Sequence, residues 1–188
     1  MKEAGSRRMK TIDMAYVALF SVLIVICSWI SVPTAVPFTM QTFAVFLAVA
    51  VLGGKRGTLA VVLYLLMGAA GLPVFSGFMG GVGRLFDITG GYMLGFLLAA
   101  LFMWLMERIF GKRNVVLALS MVIGILICYV FGTAWFVCFY GQSGGQTAVS
   151  TVLITCVLPF AIPDAIKICL VMVFRKRLAL VLKLDENN

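Results

Sequence analysis

The chain has 188 residues, 63% of them hydrophobic and only 12% charged, with 15 Lys and Arg against 7 Asp and Glu. A soluble domain of this size carries about 25% charged residues to build its surface, so the balance excludes an ordinary soluble domain and predicts an all-α integral membrane protein. The net charge of +8 does not imply a nucleic-acid partner, because basic residues of membrane proteins gather at cytoplasmic helix ends, near anionic lipid.

Six apolar runs follow in chain order, at about 12–31, 39–53, 57–72, 91–110, 114–140 and 149–174. A helix of roughly 20 residues crosses about 30 Å of hydrocarbon. The runs therefore predict six transmembrane helices in one domain, 1–188, with a basic segment at 1–11 and a polar tail at 178–188. Arg7, Arg8 and Lys10 precede the first run in the manner of a signal peptide. The long apolar stretch and the lack of a small-x-small cleavage site favour a retained span. The second and third runs are short and meet at Leu52-Gly53-Gly54-Lys55-Arg56-Gly57, which predicts two antiparallel spans, with a tilted or partly re-entrant segment as an open alternative. Strands are not expected, since alternation is absent and an open sheet leaves its edges unsatisfied in lipid.

The basic residues test this count. Lys2, Arg7, Arg8 and Lys10, then Lys55 and Arg56, then Arg108, Lys112 and Arg113, and finally Arg175, Lys176, Arg177 and Lys183 all fall on one side under the six-span reading. The opposite loops, near 31–39, 73–90 and 140–148, contain only Arg84. This asymmetry predicts that both termini are cytoplasmic.

Five cysteines (Cys27, Cys128, Cys138, Cys156 and Cys169) lie in or beside apolar runs and form no CxxC. They read as small residues packed between helices, without a disulfide frame or a metal site. There is no histidine. The loop GLPVFSGFMGGVGRLFDITGG lacks the flanking strand of a dinucleotide site, and GGKRGT fails the spacing of a phosphate-binding loop. No nucleotide hydrolysis is expected of this chain, and no cofactor is implied. The glycine-rich loop reads equally as a flexible connector or as a cap over a site.

PFAIPDAIKICLVMVF, from Pro159 to Phe174, places an acid and a base, Asp164 and Lys167, in an apolar segment. Each costs roughly 2.5–3.5 kcal/mol at the centre of a span. Their three-residue spacing puts both on one helix face. Pro163 suggests a helix start there, with Asp164 in the favourable field of its first turn. Arg175 lies eleven residues on, roughly 16 Å along a helix, so the pair falls well inside the membrane. A structural ion pair, a proton relay and a ligand site are the three readings. A ligand for this pair presents donors and an acceptor side by side, as a cyclic urea does: N–H groups toward the carboxylate and C=O toward the ammonium.

VPFTMQTFAVFLA (Val36 to Ala48), GGKRGTLAVVLYLLMGAAGLPVFSG (Gly53 to Gly77), TGGYMLGF (Thr89 to Phe96) and PDAIK (Pro163 to Lys167) together resemble BioY, the biotin-specific S component of energy-coupling factor (ECF) vitamin transporters. The similarity runs in order from about residue 11 to 177. The resemblance implies a six-helix S-component bundle in a bacterial-type cell membrane, with an outward-opening biotin site. It also implies a transmembrane coupling (T) subunit and two ATPase subunits as partners. By carry-over, Asp164 and Lys167 contact the ureido ring. The chain departs from the family where Asp87-Ile88 stands in place of Gly-Pro before Thr89-Gly90-Gly91-Tyr92, which bears on the shape of the cap. The family's Ala-x-x-x-Ala contact face on the first helix falls on Ala18 and Val22, with Ala15 one turn before, and Val22 bears on how closely a partner helix approaches.

Gln41, with Thr39 and Thr42 at the outer start of the second run, reads as a ligand donor or as a helix cap. Tyr92 reads as a pocket residue or as an interfacial anchor. Arg84 reads as a partner for biotin's valerate carboxylate or as a solvated cation. Trp29 reads as a pocket wall or an interface anchor, and Trp104 as a lipid-facing or packing residue. A stand-alone carrier using Asp164 as its proton site is the alternative function. An intramembrane enzyme is disfavoured by the lack of histidine and of any nucleophile–base motif.

Overall fold

The first apolar run folds as helix α1 (Thr11–Trp29). Its buried residues Asp13, Val17, Phe20, Ser21, Ile24, Val25 and Ser28 recur at three- and four-residue intervals, the stripe that an α-helix turns toward a core. Its opposite face is also apolar: Leu19, Val22 and Ile26 are exposed. The computed structural model to which these coordinates belong describes residues 10–32, 38–142 and 158–182. Lys2, Arg7, Arg8, the loop residues 33–37 and 143–148, the start of the last run at 149–157 with Cys156, and the tail 183–188 with Lys183 lie outside the described residues.

After α1 come strands β1 (Ser31–Val32) and β2 (Phe38–Thr39), then α2 (Gln41–Leu52), α3 (Gly54–Ala69), a 3-10 turn (Ser76–Phe78), α4 (Val82–Leu85), α5 (Gly90–Phe110), α6 (Asn114–Gln142) and α7 (Leu158–Leu182). Helices thus form where the apolar runs predict them. Three of them, α1, α5 and α6, are long and apolar enough to cross a membrane by length and composition. α2, with 12 residues, is only about 18 Å long. It is buried almost all round and packs against α1, α3, α5 and α7. α2 is therefore the axis of the bundle. Gly53 (φ 83°) takes the left-handed conformation that turns α2 back into α3 with no further linker.

The outer faces of α5, α6 and α7 are apolar as well, with Leu101, Leu105, Val115, Leu119, Val130, Ile162, Ile166 and Val173 exposed. Apolar faces this extensive suit hydrocarbon and not water. One group of polar contacts ties helix ends together. Arg56 pairs with Asp13 at 3.2 Å, the Gly54 amide donates to Glu107 at 2.5 Å, Lys112 stands 3.9 Å from Glu107, and Arg175 donates to Asn114 at 2.8 Å.

Three expectations are corrected. Strands were not expected, yet β1 and β2 pair antiparallel, Ser31 with Thr39 and Val32 with Phe38. Two-residue strands are too short for any alternation to register, and the Met40 amide extends the pairing to Ile30 O at 3.1 Å. Pro163 was expected in the first turn of its helix, but α7 already runs from Leu158 and holds Pro163 inside it. Asp164 therefore does not sit in a first helical turn. Finally, Cys27 and Cys128 are buried, whereas Cys138 and Cys169 are exposed on outer faces, not packed between helices.

The glycine-rich loop is tied down. Ser28 donates to Val74 O at 2.6 Å, Trp29 Nε1 to Pro73 O at 2.9 Å, and the Gly81 amide to Gly68 O at 2.7 Å. Phe75 is buried edge-on against Tyr64, with ring centroids 5.6 Å apart. The loop is a strap fastened to α1 and α3, which favours the cap reading over the flexible connector.

Candidate ligand-binding site

A cavity of about 90 Å³ opens beneath this strap. Asp164, Lys167, Gln41, Tyr92 and Arg84 all line it. Five residues singled out on four separate stretches of sequence thus line one cavity. Its apolar part comes from Phe38, Phe75, Met93, Phe96, Ile125 and Phe160.

The charged centre lies on α7. Lys167 Nζ donates to Asp164 Oδ1 at 2.8 Å and to the Thr39 carbonyl at 2.7 Å. It also stands 4.2 Å from the centroid of the Phe38 ring, a cation–π contact. Phe38 in turn stacks on Phe160 at 5.7 Å. The β-ribbon explains this placement, because pairing with Ser31 and Val32 orients Thr39 O and Phe38 toward α7. Tyr129 of α6 donates to Asp164 Oδ2 at 2.5 Å. Asp164 and Lys167 are only 5% and 4% exposed, so each depends on these partners for the solvation it has lost.

Gln41 is buried, and its Nε2 has no hydrogen-bond partner among the described residues. The capping role falls instead to Thr39, whose Oγ1 accepts the Gln41 amide at 3.2 Å. An unpaired buried amide donor is costly, and the buried Tyr64 hydroxyl beside it is likewise left without a well-formed hydrogen bond. Tyr92 is buried, not standing in an interfacial belt. Its hydroxyl lies 3.4 Å from Thr133 Oγ1, and its ring rests where a side chain on Gly132 would have to go. Arg84 lines the cavity paired with Asp87, so it is neither solvated alone nor free. Trp29 is absent from the wall and fastens the strap. Trp104 packs against Gly54.

Tyr129 was missed in the sequence. A tyrosine in an apolar run carries no large insertion cost, so it does not stand out as Asp164 does. Its signal is a polar tip midway along the mostly apolar 114–140 run. Phe38 and Phe160 were missed because single phenylalanines in apolar segments are the commonest packing residues.

These features define a helical membrane protein with a half-open, aromatic-walled pocket and a buried acid–base pair on its wall. The sequence profile of the BioY family matches residues 1–183, and the chain belongs to that family. It is 36% identical over 171 residues to the probable biotin transporter BioY of Pyrococcus horikoshii, covering 90% of this chain and 98% of that one. It is 34% identical over 181 residues to the biotin transporter BioY2 of Lactococcus lactis, covering 95% of each. Among solved structures it is similar to the S component for biotin from an ECF-type ABC transporter. That likeness has a TM-score of 0.78 and 26% identity, and covers 91% of this chain and 94% of that one.

Proposed function

We infer that this chain is the membrane-embedded, high-affinity biotin-binding component of a vitamin uptake transporter, and not an enzyme. It hands biotin inward with a T subunit and two ATPase subunits. The observation that carries this reading is the Asp164–Lys167 pair on the wall of an aromatic cavity. A cyclic urea offers N–H donors to Asp164 and an acceptor to Lys167. The apolar wall suits the fused ring and valeryl chain, and Gln41 supplies a further donor. Tyr92 bounds the site, and the valerate carboxylate runs toward Arg84.

The chain forms one transmembrane domain with six spans and both termini on the cytoplasmic side of a bacterial-type cell membrane. The clustering of Arg56, Lys112 and Arg175 at the end away from the cavity supports that orientation, because cytoplasmic ends carry the Lys and Arg excess. Ala15, Ala18 and Val22 are exposed on the outward face of α1, opposite its buried stripe, and are the contact surface for the T subunit. Small residues there allow close helix approach.

Binding of labelled biotin to the purified protein, with a panel of other vitamins as competitors, tests this reading. Displacement by unlabelled biotin alone is expected. Equal displacement by unrelated vitamins, or no saturable binding, refutes it.

A further inference from the structure

Lys167 and Arg84 are the two cations among the described residues that line the cavity. Lys167 donates to Asp164 and Thr39 O, and its remaining N–H serves the ureido oxygen in the reading above, which leaves Arg84 as the partner for an anionic ligand group. Arg84 belongs to the four-residue helix α4, and its guanidinium is bonded to the Asp87 carboxylate. Asp87 is not part of the cavity wall among the described residues, and its own position is closely defined. Its Oδ1 accepts the Ile88 amide at 2.7 Å. Its carbonyl accepts the Gly90 amide at 2.9 Å and Trp135 Nε1–H of α6 at 3.0 Å. A fixed carboxylate therefore already holds the one guanidinium at the cavity rim.

We propose that Asp87 is a specificity-determining residue that occupies Arg84 as an internal carboxylate, so the pocket distinguishes only weakly between a ligand bearing a free carboxylate and its neutral amide. This rests on biotin being the ligand, as inferred above. An incoming carboxylate must share or displace Asp87 at Arg84, and exchanging one carboxylate for another leaves little net gain. The pair is partly solvated, with side chains 39% and 37% exposed, so the effect of removing Asp87 is modest. It is also directional. Releasing Arg84 strengthens acid binding relative to amide binding.

The test is calorimetric titration of biotin and of biotinamide into wild type, Asp87→Asn and Arg84→Gln, read as the ratio of amide Kd to acid Kd. Asparagine keeps an acceptor for the Ile88 amide. Asp87→Ser, which offers that amide a hydroxyl oxygen, is the second variant if the first does not fold. The ratio is expected to rise about two- to fivefold in the Asp87 variants, the range for a partly exposed ion pair, and to fall to about one in Arg84→Gln. An unchanged or lower ratio in the Asp87 variants, with wild type binding biotin tightly, overturns the role of Asp87 alone. Failure of wild type to bind either probe overturns the biotin reading and this proposal with it.

Discussion

The Tyr129 hydroxyl, midway along α6, donates to Asp164 Oδ2 on α7 at 2.5 Å, while Lys167 takes the other carboxylate oxygen at 2.8 Å. Together the two bonds fix the plane of the Asp164 carboxylate. Tyr129→Phe removes one hydrogen bond to a charged acceptor and keeps the ring. Biotin affinity is expected to drop roughly fivefold, about 1 kcal/mol. Calorimetry on the purified variant checks this, and an unchanged Kd removes Tyr129 from the account.

Gly132 lies against the ring of Tyr92, so that an added Cβ would collide with it. Gly132→Ala is expected to push Tyr92 toward the cavity and to destabilise the protein by about 1–3 kcal/mol, the usual range for overpacking. Thermal unfolding in detergent should show a lower Tm, together with weaker biotin binding in the folded fraction. A wild-type Tm would show that α6 has room to relax there.

The α1 face makes a separate prediction. Ala18 is exposed and makes no contribution to the cavity wall. Ala18→Trp should leave biotin binding by the isolated chain intact and reduce co-purification with the T subunit and ATPases severalfold, since the added bulk prevents close helix approach. Uptake in cells lacking any coupling ATPase should be absent and indifferent to a protonophore. Protonophore-sensitive uptake under those conditions would favour a stand-alone proton-coupled carrier.

Topology can be tested with single cysteines at Lys55 and Gln142, in a background without the native ones. An impermeant thiol reagent added outside intact cells should label position 142 and not 55. Labelling of both from the same side contradicts six spans with cytoplasmic termini.

Much of this was legible from physical costs. Continuous apolar runs without alternation announce helices because a helix satisfies its own backbone in hydrocarbon, and α1, α2, α3, α5 and α6 form where they were expected. Asp164 and Lys167 stood out because each is expensive at that depth. What sequence reasoning missed carries little local cost. The β-ribbon is two residues long, and its importance lies in delivering Thr39 O and Phe38 to Lys167 from 128 residues away in sequence. The start of α7 was misplaced because Pro163 suits a first helical turn, yet α7 accommodates it internally. Asp87 was legible as the i+3 partner of Arg84, but was weighed only as a departure from the family pattern.

On the proposed reading, Asp164 and Lys167 contact the ligand and are not only a structural ion pair. Equilibrium binding of biotin to folded, monodisperse wild type, Asp164→Asn, Lys167→Met and the double variant tests it most directly. Hydrogen bonds to charged groups contribute roughly 1.5–3 kcal/mol each, so each single variant should lose about tenfold to a few hundredfold in affinity. The double variant should not recover. A structural pair predicts the opposite pattern: lower yield and Tm in the single variants, partial rescue in the double because no lone charge stays buried, and near-normal affinity throughout. Wild-type affinity in either single variant contradicts the account.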